Sequence, residues 1–279
     1  MSYYEPEHLM VSNHIDPAVM WSAQELYGSA AEAFIAQARQ AIILLCAHCS
    51  WEPDGWVLQA SGSLMASAHD GEVIIKAPLI DPIAAIEAAT IYGQLHVGPE
   101  ILGAINGSNV IGAMAMQRLD GTFFHCSDTP TLDELAEAIH LASLLALGQP
   151  TTDYDALGDR LDAEFTKAVR RATQVGDTTT TIELAQRAQM IRDTPAPHTP
   201  RHGNLHLSNV MRHNGDMRLI NPRPVYAPAE FDAATIAVST GYDPYEMAQH
   251  MRLDPDLTYQ VYRFITLCNG LYQRVKTLS

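Results

Sequence analysis

The run Arg201-His202-Gly203-Asn204-Leu205-His206-Leu207-Ser208-Asn209-Val210, with Leu219-Ile220-Asn221-Pro222-Arg223-Pro224 a short distance on, concentrates the side chains of this sequence that are suited to chemistry. Asn204 and Asn209 lie five positions apart. The stretch from Met211 to Ile220 reads as two short strands around the turn His213-Asn214-Gly215-Asp216, because Asn-Gly is a strong hairpin signal. Such a hairpin brings Asn209 and Asn221 together at its open end. An asparagine oxygen can ligate a divalent cation, but an amide carries no charge, has one acceptor oxygen and presents a donor group as well. Plainer readings stand beside this one. His-Gly-Asn-x-His on its own is a turn followed by a helix start, with Ser208 or Asn209 as the cap. His202 and His206 have the i, i+4 spacing of a zinc-binding helix. Against zinc, Gly203 is a poor helix former and no Glu directly follows His202.

These motifs resemble the aminoglycoside phosphotransferase family, whose corresponding runs read His-Gly-Asp-x-His-x-x-Asn and Ile-Asp-Pro. The run Ile-Asp-Pro-(Lys/Arg)-Pro followed by Phe/Tyr-Asp-x-Ala is most similar to the streptomycin and hydroxyurea kinase branch, and Phe231-Asp232-Ala233-Ala234 fits the second part here. The resemblance implies an α+β, bilobal, protein-kinase-like fold with a small strand-rich N-lobe and a larger helical C-lobe. It implies ATP and Mg2+ as cofactors. It places Asn204 where a catalytic aspartate orients the substrate hydroxyl, Asn209 at a magnesium ligand, and Asn221 at the second acid position, which holds the metal bridging the phosphates. It gives His202 and Asp232 the role of supporting the catalytic loop. Asn204 and Asn221 depart from the family's aspartates, and Leu207-Ser208 replaces a frequent Pro-Gly. Two isosteric exchanges with their surroundings kept read as an inactivated form of a working kinase.

Upstream elements fit a nucleotide-binding lobe. Trp56 to Ala68 reads as strand, turn at Gly62-Ser63, strand, with small residues whose backbone amides can approach phosphates. After the turn His69-Asp70-Gly71, the β-rich run Glu72-Val73-Ile74-Ile75-Lys76 ends in a single lysine. A lysine on the third strand of such a lobe pairs with the phosphates and with a glutamate of the next helix. Pro82 to Tyr92 is that helix by periodicity, and Glu87 is its candidate acid; the plain alternative for both is solvated surface. The apolar run from Val110 to Met116 turns polar at Gln117-Arg118-Leu119. By resemblance this is the hinge, where adenine meets backbone groups near Gln117 and Leu119, while Met114 and Met116 also suit a gap-filling core role.

The chain has 279 residues, 47% of them hydrophobic, enough for a sizeable core. It carries 17 Lys and Arg against 32 Asp and Glu, a formal net charge of −15. That balance argues against nucleic acid as a partner, which needs cationic neutralisation of phosphates, and it suits a small cationic acceptor. Asp153, Asp155, Asp159, Asp162 and Glu164 concentrate negative charge, although such a run is usually a solvated helix face. No uninterrupted apolar run of about 18 residues is present, so no membrane span is expected. Met1-Ser2-Tyr3-Tyr4-Glu5 opens without a basic region or apolar core. Cys46, Cys49, Cys126 and Cys268 are scattered, and Cys46-x-x-Cys49 sits in an apolar helical context that favours core thiols over redox chemistry. The expectation is a reduced, cytoplasmic protein of open oligomeric state.

Helices are expected from about 16 to 49, from Thr131 (a capping box with Glu134) through Leu145, from Ala156 to Val175, from Thr181 to Arg192, and over the tail from Phe231, with breaks at Asp243-Pro244 and Asp254-Pro255. Thr194 to Pro200 reads as a proline-rich loop. The nucleotide lobe is assigned to residues 1–118 and the helical lobe to 119–279. Three functions follow. The first is an ATP-dependent phosphotransferase for a hydroxyl of a small polar, cationic molecule, carried here in an inactive Asp-to-Asn form. The second is a natural pseudokinase that binds nucleotide or a partner protein. The third is a kinase for a protein or a tRNA.

Overall fold

The computed structural model describes residue 15 and residues 17–56, 62–107, 110–126 and 129–277. They form two compact units, Met1–Asp120 and Gly121–Ser279. The expected strand residues 57–61, part of the turn before Gly62, lie outside the described residues, as does residue 16, where the first helix is expected to begin.

In the first unit, helices α1 (Pro17–Tyr27) and α2 (Ala31–Cys49) precede strands β1 (Pro53–Trp56), β2 (Ser63–Ala68) and β3 (Val73–Pro78). Helix α3 (Pro82–Gln94) and strands β4 (Ile101–Gly107) and β5 (Val110–Gln117) follow. The five strands form one antiparallel sheet in the order β1-β2-β3-β5-β4. Small residues on the strands, Ala66, Ala68, Ala77, Ala113 and Ala115, let α2 approach closely, so Ile35, Ala38, Ile42 and Leu45 fill a core against the sheet. The stretch Pro17–Cys49 is long and apolar enough to cross a membrane by composition. A 3-10 turn at Gly28–Ala30 divides it, and Ile35, Ala38, Ile42 and Leu45 of its second half are buried in this core.

In the second unit, the short strand β6 (Thr122–Phe123) leads to helices α4 (Leu132–Ser143), α5 (Leu157–Val175) and α6 (Thr178–Asp193). Next come strands β7 (Thr199–Arg201), β8 (Val210–His213), β9 (Asp216–Leu219) and β10 (Val225–Ala227), then helices α7 (Ala229–Thr240), α8 (Pro244–Met251) and α9 (Pro255–Lys276). Helix α9 packs against α5, α6, α7 and α8, and Leu257, Val261, Phe264 and Leu271 join Leu161, Leu184 and Ile191 in its core. Local chemistry sets the ends of these helices. Thr131 and Glu134 form the reciprocal capping box of α4. The two expected breaks are starts as well: Asp243 and Asp254 cap α8 and α9, each with proline in the first turn.

The structure adds the strands at Pro53–Trp56 and Ile101–Gly107 to the expected ones, and in the second unit it differs from the sequence expectation at three places. Helix α4 stops at Ser143, and Leu144–Gly148 tightens into a 3-10 turn. Helix α6 begins at Thr178, before the expected Thr181, because Asp177 accepts from the Thr180 amide at 2.9 Å and caps it. The end of the proline-rich loop is extended: β7 pairs antiparallel with β10 in a two-stranded ribbon, where Pro200, which has no amide to donate, needs no second neighbour.

Candidate active site

The loop from His202 to Asn209 runs between β7 and β8, and its shape follows from two devices. At Gly203 the backbone is left-handed, with φ 69°, and a Cβ there would collide with the Arg223 carbonyl oxygen, so only glycine fits. The 3-10 turn Leu207–Asn209 then reverses the chain into β8, pinned by the Leu207 amide donating to Ser239 Oγ of α7 at 3.2 Å. Strands β8 and β9 form the expected hairpin, with both turn residues Asn214 and Gly215 at positive φ (53° and 87°), as a primed turn requires. Beyond β9, Asn221 also adopts a left-handed backbone, φ 59°.

The hairpin closes an asparagine cluster. Asn204 Nδ2 donates to the Asn221 carbonyl at 3.2 Å, Asn221 Nδ2 to Asn209 Oδ1 at 3.4 Å, and Asn209 Nδ2 to the Asn204 carbonyl at 2.7 Å. Backbone carbonyls only accept, so they fix the orientations of the Asn204 and Asn209 amides, and the Asn209 oxygen in turn takes the Asn221 donor. Asn209 Nδ2 also reaches His206 Nε2 at 3.0 Å, while His206 Nδ1 lies 2.6 Å from Ser208 Oγ. Burial, with His125 as a lesser influence, lowers the pKa of His206; with Asn209 Nδ2 as the donor, its Nε2 is the acceptor.

Beneath the loop, Asp232 on α7 is fully buried and accepts from the His202 amide at 3.2 Å and the Gly203 amide at 3.0 Å. Burial pushes its pKa up to about 6, against the pull of Arg201 and the two amides. His202, equally buried, accepts the Asn204 amide on Nδ1 at 3.3 Å and faces the Ile220 carbonyl with Nε2 at 3.1 Å. Such a pair of partners suits the neutral Nε2–H tautomer. Each side chain thus fastens the loop to a different neighbour: Asp232 to α7, His202 to the end of β9.

The remaining expected residues lie in the first unit. Gly62 precedes β2, and its carbonyl accepts from the Leu79 amide at 3.1 Å; Ser63 is the buried first residue of β2. Lys76 stands in the middle of the sheet, opposite Met65 on one side and Met114 on the other, and burial lowers its pKa to about 8. Glu87 is half-buried on α3, which packs on β3, β4 and β5. At the end of β5 the Gln117 amide donates to the Glu100 carbonyl at 2.9 Å. Leu119, two residues on, lies outside the strand.

Sequence reasoning missed Arg160. It sits inside the acidic run read as a solvated face, yet it is buried, and Nη2 donates to the carbonyls of Arg223 at 3.3 Å and Pro224 at 3.5 Å. Of the acids in that run, Asp153, Asp155, Asp159 and Asp162 are exposed. Glu164 is half-buried between Lys167 at 2.9 Å and Arg223 at 3.6 Å. Burial acts to raise its pKa, but Lys167 and Arg223 outweigh it and the carboxyl stays below its usual range. Arg160 and Glu164 therefore hold the segment that follows Asn221, and a buried arginine among acids leaves no periodic signal. Burial also pushes the Cys46 thiol up to about 11, in keeping with a core thiol.

The donor set does not fit Mg2+. That ion demands near-ideal octahedral oxygen ligation and is held in proteins through one or two carboxylates. At the two implied metal positions Asn209 and Asn221 offer neutral amides, and Asn209 Oδ1 already receives a proton donor. Asp232 is turned to the backbone beneath the loop. Among the described residues no cluster of three His, Cys, Asp or Glu is arranged to hold a metal ion.

No protein-family model matches the sequence, and a search of curated proteins finds no match. Solved structures do match. A choline/ethanolamine kinase family protein from Mesorhizobium loti has a TM-score of 0.57 at 14% identity, covering 85% of this chain and 84% of that one. The aminoglycoside phosphotransferase APH(3'')-Id from Streptomyces rimosus has 0.56 at 18%, covering 84% and 98%. APH(2'')-IIIa, solved as a GDP and kanamycin complex, has 0.58 at 11%, covering 86% and 91%. The five-stranded antiparallel sheet, the helical second unit and these likenesses establish that the chain has the α+β protein-kinase-like fold of the small-molecule phosphotransferases.

Proposed function

We propose that this chain is a nucleotide-binding phosphotransferase scaffold held in an inactive form by Asn204 and Asn221. The observation that carries the reading is the convergence of Asn204, Asn209 and Asn221 on one loop and hairpin, joined by direct hydrogen bonds, above a buried Asp232 that holds the loop. In this reading Gly62, Ser63 and Lys76 serve the phosphates, with Glu87 as the partner acid of the lysine, and the backbone near Gln117 and Leu119 takes the base. ATP is the expected nucleotide. The acceptor of the active form is a hydroxyl of a small polar, cationic molecule; support comes from the net charge of −15 and from the Streptomyces rimosus enzyme, solved with ADP and streptomycin. The streptomycin and hydroxyurea kinases are the branch to test first. A second reading, a pseudokinase that binds nucleotide without transfer, is favoured by the way the three asparagine side chains donate to one another's segments, two to backbone carbonyls and one to the Asn209 side chain. Calorimetric titration with ATP, ADP and GTP tests the shared core of both: at least one should bind, and Lys76→Ala should weaken it without unfolding the chain. Failure of all three nucleotides to bind rejects both readings.

A further inference from the structure

We infer that the cluster of Asn204, Asn209 and Asn221 is closed to divalent cations by its own hydrogen bonds, so that this chain takes its nucleotide free of metal. The inference rests on the nucleotide reading above and goes beyond it in naming the chemical form of the ligand. Its basis is the direction of the bonds. Asn209 Oδ1 is the oxygen that a metal would use, and the Asn221 amide points a proton donor at it. Rotating the Asn221 amide by half a turn would bring its oxygen round to face Asn209 Oδ1, and a cation between the two would still have only neutral ligands. The bond does locally what a cation does between two oxygens: it removes their mutual repulsion. Asn209 cannot turn away to make room, because its Nδ2 is committed to the Asn204 carbonyl and to His206. Asn204 completes the closure by donating to the Asn221 backbone, which holds that residue in its left-handed conformation. With aspartates at 204 and 221 these donors would be missing, and carboxylate oxygens would face the Asn221 carbonyl and Asn209 Oδ1. That arrangement needs a cation; the present one does without.

Two measurements on the full chain decide this. ATP is titrated calorimetrically in EDTA and again in excess Mg2+. The two Kd values should agree within about twofold, while for Asn221→Asp Mg2+ should tighten ATP by about tenfold or more. Separately, and without nucleotide, thermal melting is followed in EDTA and in Mn2+. The unsubstituted chain should melt alike in both, and Asn221→Asp should melt lower in EDTA and recover in Mn2+. ATP binding that requires Mg2+ overturns the inference and leaves the nucleotide reading standing. Absence of ATP binding in both buffers defeats the nucleotide reading and, with it, the claim of a metal-free nucleotide. The closure itself is then judged on melting alone, and stabilisation of the unsubstituted chain by Mn2+ overturns it. That last comparison needs no variant, so a failure of Asn221→Asp to fold does not spare the inference.

Discussion

The side-chain amide of Asn209 donates to the backbone carbonyl of Asn204 at 2.7 Å, which ties the end of the loop to its beginning. The same side chain accepts from Asn221 across the hairpin and meets His206. One buried residue therefore fixes three segments: the entry to the loop, its 3-10 turn and the chain leaving β9. Its place follows from the backbone, since the Ile220 amide donates to the Asn209 carbonyl at 3.0 Å and closes the hairpin at this residue.

Replacing Asn209 should therefore loosen the loop as a whole. Asn209→Ala strips the half-buried Asn204 carbonyl and two neighbouring polar groups of their partner, a loss of roughly 1–3 kcal/mol. Asn209→Asp keeps an acceptor for Asn221 but sets a carboxylate oxygen against the Asn204 carbonyl, and should be at least as damaging. Urea unfolding should show a lower midpoint at unchanged slope for both variants. A midpoint that stays put for Asn209→Ala would show that the cluster contributes nothing to stability.

Asp232 gives a pH-dependent prediction. Asp232→Ala leaves the His202 and Gly203 amides without their acceptor, at a cost of roughly 1–3 kcal/mol. Because burial raises the folded-state pKa from 3.8 to about 6, the folded chain keeps a proton in that window which the unfolded chain has released. The contribution of Asp232 to stability must then fall as pH rises through the window. Melting temperatures of the chain and of Asp232→Ala should differ most near the bottom of the window and converge somewhat toward pH 7. A gap that widens with pH would show that the folded-state pKa is depressed and that the two backbone amides outweigh burial.

Lys76 gives the opposite sign. Its pKa falls from 10.5 to about 8 through burial, so between those values the unfolded chain holds the proton and stability rises with pH. Lys76→Met should raise stability at neutral pH, by up to about 3 kcal/mol at the conversion of 1.36 kcal/mol per pKa unit, and should flatten the rise in the alkaline range. The same substitution should weaken nucleotide binding. An unchanged alkaline profile in the variant would assign that rise to other groups.

Legibility in the sequence followed the range of the signals. Asn214-Gly215 is a local signal and predicts the hairpin that joins Asn209 to Asn221. Thr131 and Glu134 likewise announce the start of α4, and Asp-Pro pairs announce α8 and α9. Arg160 was invisible because its role depends on carbonyls more than 60 residues away in sequence. Pro200 argued for a loop because its strand role depends on having a single partner, β10, which no local pattern encodes. The asparagine identities were plain in the sequence, but the directions of their hydrogen bonds were not. Those directions turn three asparagines into a closed cluster.

Placing aspartates at positions 204 and 221 tests the phosphotransferase reading. Asn204→Asp alone removes the donor to the Asn221 carbonyl and sets like partial charges face to face, so it should lower stability and give no appreciable transfer. Asn221→Asp alone supplies an anionic ligand for a divalent cation at the hairpin, and should make nucleotide binding metal-dependent while turnover stays slow. Together the two carboxylates divide the work that phosphoryl transfer requires, one orienting the acceptor hydroxyl and the other answering phosphate charge through the cation, and transition-state stabilisation needs both positioning and charge. The double variant should therefore transfer the γ-phosphoryl group of ATP to a hydroxyl acceptor, with neither single variant reaching its rate. Radiolabelled ATP and a panel of aminoglycosides, hydroxyurea and small polyols make the measurement. A double variant that binds nucleotide and cation tightly, yet neither modifies any acceptor nor hydrolyses ATP, would assign the chain to the pseudokinase reading instead, because restoring both acids would then have restored no phosphoryl transfer.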